Sequence, residues 1–140
     1  MQTDSEILRR HQLSTGFRLA PLDDWRKLLR TRLNVMVSGP DTALAAFAGA
    51  ARSELCEPVR IVSCSSPLFF EGRTLLLTDV EMLDEAGQNR LLRWINEPRN
   101  VDTQVIALSS DPLFAKVCAQ RFNADLYYRL NTILIEVCNK

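Results

Sequence analysis

A chain of 140 residues with 46% hydrophobic content supports one modest buried core. Its 17 basic and 17 acidic side chains cancel, so no overall basic field directs it to nucleic acid, and direct DNA binding is not expected. Its apolar runs are far shorter than a membrane span and the opening MQTDSEILRR is too polar for a signal peptide, so a cytoplasmic protein without membrane contact is expected. Cys56, Cys64, Cys118 and Cys138 lie far apart with no C-x-x-C pair, and His11 is the lone histidine. That spacing supports neither a zinc site nor a disulfide framework; reduced thiols and no metal are the expectation.

Residues 1–21 read as a short helix or arm punctuated by Gly16 and Pro21, with Arg9, Arg10 and Arg18 on a solvated face. Asp23-Asp24-Trp25 starts a helix through Leu33, either aspartate serving as cap and Trp25, Leu28 and Leu29 facing inward. Residues 1–32 thus form an N-terminal helical segment ahead of an α/β core at 33–140. The first core strand is Asn34-Val35-Met36-Val37-Ser38; Gly39-Pro40-Asp41 turns the chain, and Thr42 begins an Ala-rich helix to about Leu55. Strand, glycine turn and helix is the place for a phosphate loop. The motif G-x-x-x-x-G-K-[ST] supplies a second glycine, a lysine for the phosphates and a hydroxyl for Mg²⁺. Counted from Gly39, those positions hold Leu44, Ala45 and Ala46, and Pro40 has no N–H to offer.

A second strand at 59–64 is followed by a Ser-Ser-Pro turn. Next, Thr74-Leu75-Leu76-Leu77 is the unbroken apolar run of a strand covered on both faces, expected to have neighbours on both sides. It delivers Thr78, Asp79 and Glu81 to the sheet's carboxyl edge, where ligands of open α/β sheets gather. Asp79 and Glu81 fit solvated turn positions better than a Mg²⁺ role. Asp84 can cap a helix whose positions Leu83, Gly87, Leu91, Trp94 and Ile95 recur at helical spacing until Pro98 stops it. Residues 103–108 form a fourth strand, with Ser109 and Ser110 at its end. Asp111 then caps a helix that has Pro112 at its first position. Asn123 caps ADLYYRL, where Tyr127 and Tyr128 read as packing residues; Asn131 closes the helix, and 132–137 is a fifth strand. Strands alternating with helices imply a three-layer α/β/α domain with a five-stranded, mostly parallel sheet.

The segments NVMVSGPDTALAAFAGAA, RIVSCSSP, GRTLLLTDVEMLDEAGQNRLLRWINEP and RFNADLYYRLNTILIEV, in this order, resemble the central AAA+ domain of bacterial sigma-54-dependent transcription activators. The last is the most specific, matching the family's Arg-Phe-Arg-x-Asp-Leu-Tyr-Tyr-Arg-Leu-Asn run. The resemblance covers residues 33–137 and implies a P-loop NTPase fold, ATP and Mg²⁺ as the family's cofactors, and ring assembly with a protein partner, a sigma-54 activator or another copy.

The departures bear on activity. The family's Walker B Asp-Glu pair falls on Thr78 and Asp79, its sensor asparagine on Ser109 or Ser110, and the first of two finger arginines on Asn123; the second survives as Arg129. The family's sigma-contacting insertion between the second and third strands reads as deleted, and the family's helical lid is not expected after Val137. Phosphoryl transfer rests on positioning and charge stabilisation, and losing one such charge costs about 2.7–4 kcal/mol by analogy with an oxyanion donor. The expectation is a degenerate, non-hydrolysing domain acting in transcription regulation through protein contacts, with a nucleotide-sensing switch that binds without cleaving, or a decayed activator fragment, as the alternatives. Gly39, Asp41, Thr42, Thr78 and Asp79 form a vestigial nucleotide site, with weak binding of ATP as the most it would retain. Asn123, Asp125, Tyr128 and Arg129 form an interface, with an Asp125–Arg129 pair on one helix face as the intramolecular alternative for Arg129.

Overall fold

The computed structural model describes residues 17–18, 24–65 and 70–139. In chain order these form strand β1 (Phe17–Arg18), helix α1 (Asp24–Arg30), β2 (Val35–Ser38), α2 (Asp41–Ala51), β3 (Val59–Ser63), β4 (Thr74–Thr78), α3 (Glu85–Asn96), β5 (Gln104–Ser109), α4 (Leu113–Cys118), α5 (Ala124–Leu130), β6 (Ile133–Glu136) and β7 (Cys138–Asn139). Five strands build one sheet in the order β3-β4-β5-β2-β6, every pair parallel. β4 therefore lies between β3 and β5, as its continuous apolar run requires.

Alternation along the strands sends side chains to two cores. Val35, Val37, Leu76, Ile106, Leu108 and Ile135 meet α1 and α2 through Trp25, Leu29, Leu44 and Phe47. Met36, Leu75, Leu77, Val105 and Ala107 meet α3, α4 and α5 through Leu91, Leu113, Leu126 and Leu130. The three-layer α/β/α expectation holds. Ile61 on the edge strand β3 stays 48% exposed, because only a short connection joins β3 to β4 and, among the described residues, no helix covers that corner.

Several local expectations need correction. The described part of the N-terminal segment contains a strand as well as a helix: β1 pairs antiparallel with β7, Phe17 opposite Asn139 and Arg18 opposite Cys138. Arg18 is thus in a strand, while Arg9, Arg10, His11, Gly16 and Pro21 lie outside the described residues, as do Ser66 and Pro67 of the Ser-Ser-Pro turn. Helix α1 ends at Arg30, not Leu33, because Arg32 enters the left-handed region at φ 66°. Two carbonyls near that end, Leu29 O and Leu33 O, accept from the buried Gln104 Nε2, both at 2.9 Å; Leu29 O also accepts from the Arg32 N–H at 3.3 Å. Helix α2 stops at Ala51 and passes into a 3₁₀ turn, Arg52–Glu54, whose Glu54 bridges Arg26 and Arg30 at 3.1 and 2.7 Å.

Asp84 and Asn123 cap as expected, accepting from the N–H groups of Gly87 at 2.7 Å and Leu126 at 2.9 Å. Asp111 does not. Ser109 Oγ donates to its carbonyl at 2.6 Å and accepts from its N–H at 3.3 Å, which folds Asp111 into a turn and leaves Pro112 in the cap position of α4.

Candidate functional site

The residues expected at a vestigial nucleotide site all reach the carboxyl edge of the sheet. Gly39 follows β2 and Thr78 ends β4, with β5 between them. Two interstrand spacings separate them, about 10 Å. What the edge offers a phosphate is limited. The Gly39 N–H donates to Ser109 O at 3.2 Å, and Val137 N–H donates to Ser38 O at 2.9 Å, so the backbone at the loop extends the sheet on both sides. A Cβ on Gly39 would overlap the Val137 carbonyl and lie 2.7 Å from Val137 Cγ2. The glycine is there for close approach of the chain's own backbone. Leu44, at the second-glycine position, is buried in the core, Ala45 is exposed, and Asp41 and Thr42 sit exposed on the first turn of α2.

Asp79 leaves β4 in the left-handed region at φ 57°, and a 3₁₀ turn, Val80–Met82, follows at once. The turn drives Glu81 inward to 8% exposure while Met82 faces out. Glu81 is therefore not the solvated residue expected. Its Oε1 accepts from Ser110 Oγ at 2.9 Å, its carbonyl accepts from Lys116 Nζ at 3.0 Å, and its Oε2 is buried without a hydrogen-bond partner. Asp79 is half-buried.

Beside them, Cys64 is a buried free thiol that burial first, and then the charges of Asp79 and Glu81, push up to about 12 from an ordinary 9.0. The folded state thus holds a proton that the unfolded chain releases near 9. The resulting stability is complete below that pH and is lost as pH rises toward 12, an effect on the order of a few kcal/mol. Thiol labelling near pH 8 should modify exposed Cys56 and Cys118 quickly and Cys64 only on unfolding. Cys64→Ala should flatten the alkaline fall in melting temperature.

At the opposite end of α5, the expected interface residues divide. Asn123 is turned inward: its side chain caps α5 and its N–H donates to Gln88 Oε1 at 2.8 Å. Asp125, Tyr128 and Arg129 are exposed. Tyr127 packs in the core at 8% exposure, but Tyr128 at 63% is not the packing residue expected. Arg129 does not pair with Asp125; its Nη2 donates to Asn96 Oδ1 at the end of α3, 2.6 Å away. Among the described residues no cluster of three or more His, Cys, Asp or Glu is placed to hold a metal ion, and no helix is long and apolar enough to cross a membrane.

Residues 32–139 match the family model of the Sigma-54 interaction domain. The chain belongs to that family. It is 40% identical over 77 residues to the transcriptional regulatory protein ZraR of Escherichia coli (strain K12), covering 48% of this chain and 18% of ZraR. It is 40% identical over 76 residues to the response regulator protein PilR of Pseudomonas aeruginosa, covering 47% of this chain and 17% of PilR. The chain therefore spans under a fifth of these curated relatives. NtrX from Brucella abortus, solved in complex with ADP, aligns with a TM-score of 0.67 at 18% identity, over 81% of this chain and 33% of NtrX. Another NtrX structure aligns over 97% of this chain and 36% of its own, with a TM-score of 0.63 at 16% identity. That likeness establishes the fold, a P-loop NTPase-like parallel sheet.

Within this sigma-54 interaction domain, three residues take places that the sequence does not announce. Val137 closes on Gly39, yet nothing in a terminal apolar strand residue announces which loop it will meet. Glu81 is buried by a 3₁₀ turn too short to leave a periodic signal. Arg32 takes a left-handed position that a glycine would ordinarily mark.

Proposed function

We propose that this chain is a non-hydrolysing sigma-54 interaction domain that regulates transcription through protein contacts, binding a full-length sigma-54 activator or another copy of itself and restraining it. The observation that carries this reading is the closed loop after β2. Its one glycine spends its N–H on Ser109 and abuts Val137, and the lysine position is Ala45. Helix α5, by contrast, leaves Asp125, Tyr128 and Arg129 exposed. Regulation of transcription is supported by family membership and by the relative ZraR, a transcriptional regulatory protein. Inhibition is favoured over activation, because Asn123 replaces a companion arginine and is committed to capping its own helix.

Three measurements test the proposal. Calorimetry with Mg-ATP should give no binding in the low micromolar range, and turnover should lie at least about 100-fold below an intact relative, the loss expected for even one missing charge-stabilising group. A low-micromolar dissociation constant would identify a nucleotide-sensing switch instead. Capture of an activator from the native host should succeed with and without ATP and fail for Arg129→Ala, which changes an exposed side chain and should leave the fold intact. Unchanged capture by that variant, or no activator bound by the parent chain, would remove the interface reading.

A further inference from the structure

The amino edge of the sheet, opposite the Gly39 loop, holds a cleft of about 350 Å³. It lies where the loop entering β2, the end of α3, the loop entering β5 and the end of α5 converge. Two arginines line it, Arg32 from the first of these segments and Arg129 from the last. Both guanidiniums are held by neutral acceptors. Arg32 donates to Thr74 Oγ1 at 3.3 Å and to Arg73 O at 3.2 Å, and Arg129 donates to Asn96 Oδ1 at 2.6 Å. Each guanidinium carries five N–H donors and a fixed positive charge. Among the described residues, neither is in an ion pair. The one carboxylate in the lining, Glu97, is taken by Arg99 at 2.6 Å.

Beside these charges lie apolar side chains that the described residues leave uncovered. Leu33, Val101 and Tyr128 all line the cleft and are 48%, 78% and 63% exposed. The walls are tied together from within. Asn34 donates through Nδ2 to Arg129 O at 3.0 Å and accepts from Val105 N–H at 2.8 Å, joining the starts of β2 and β5 to the end of α5. Asn100 Nδ2 donates to Trp94 O at 2.7 Å and fastens the loop that carries Val101 to α3. A preformed cleft loses little freedom on binding.

We infer that this cleft docks an acidic segment of a partner protein: a carboxylate bridges Arg32 and Arg129, and an apolar neighbour on the same segment covers Leu33, Val101 and Tyr128. Charge complementarity selects the sign of the occupant, since two arginines face it with no acidic partner among the described residues. The exposed apolar trio selects a peptide over a small anion, which would leave those surfaces in water. A nucleic acid backbone would meet Glu97 at the rim and gain nothing from a molecule of zero net charge. The inference rests on the protein-contact reading above and adds the chemistry of the partner.

The test titrates the full chain with a capped nonapeptide of Glu and Asp carrying one Leu and one Phe, followed by calorimetry and amide shifts. Binding below about 1 mM is expected, with shifts centred on Leu33, Val101 and Tyr128. The Gln/Asn isostere of the peptide should bind about tenfold more weakly, as should the wild-type peptide to Arg129→Gln or to Arg32→Gly, each removing a charge-assisted contact. Glycine suits the left-handed backbone at position 32, so Arg32→Gly should keep its melting temperature. No binding below about 1 mM, equal binding by both variants, or equal shifts with inorganic phosphate or duplex DNA would each overturn the inference. Activator capture is run in parallel. If it survives in the parent chain while the peptide fails, the docking chemistry falls and the protein-contact reading stands; if capture fails while the peptide binds, the reverse holds.

Discussion

Trp25→Ala is expected to lower the free energy of unfolding by about 3–5 kcal/mol, the range for emptying a large aromatic from a core. Trp25 is fully buried, and its ring packs at 5.4 Å from that of Phe47 with an interplanar angle of 55°. The contact joins α1 to α2, and the surrounding cluster includes Leu29, Val35, Ile106 and Ile135, so the truncation opens a space against the middle of the sheet. A domain of this size has a total stability of roughly 5–15 kcal/mol, so the loss is a large share of it. Urea unfolding should show the midpoint falling by about 2 M or more at an unchanged m-value near 1.5 kcal/mol/M. A shift under half that size would mean that α1 contributes little to the core. The result matters for the family assignment as well, since Trp25 lies ahead of the matched stretch, residues 32–139, yet belongs to the same packed core.

Gly39→Ala should cost about 3 kcal/mol, the upper end for forcing one extra carbon into a packed site. The obstacle is the carbonyl of Val137, backbone that cannot rotate aside. Val137 is 4% exposed, its N–H is bonded to Ser38, and the next residues pair with β1. Relief therefore requires the β1–β7 ribbon to move away from the end of β2. Amide exchange of Val137 and Asn139 should accelerate along with the loss of stability. Gly49→Ala is the matching control. It lies on the exposed side of α2 with nothing within 4 Å of an added Cβ, and it should gain about 0.5–1 kcal/mol from the better helix former. If both variants behave alike, the loop after β2 has room for a Cβ, and a phosphate cradle there becomes tenable.

Much of this protein is written locally. The apolar runs of β2, β4 and β5 mark strands buried on both faces, because a strand between two helical layers has no side to leave polar. Asp84 and Asn123 are legible caps, because the N–H groups they satisfy lie three residues along the same chain. That residue 45 is alanine, where the phosphate-loop motif has lysine, is a matter of residue identity alone. Tertiary structure decided the rest. Gly39 is spent on Ser109 and Val137, Arg129 turns to Asn96, the end of α1 is completed by Gln104, and β1 finds β7. Asp111 looks like a cap in sequence, but Ser109 claims its backbone first. Periodicity records which face of an element is apolar. It does not record which distant group will take each remaining hydrogen bond, and those pairings close the loop at one edge of the sheet and shape the cleft at the other.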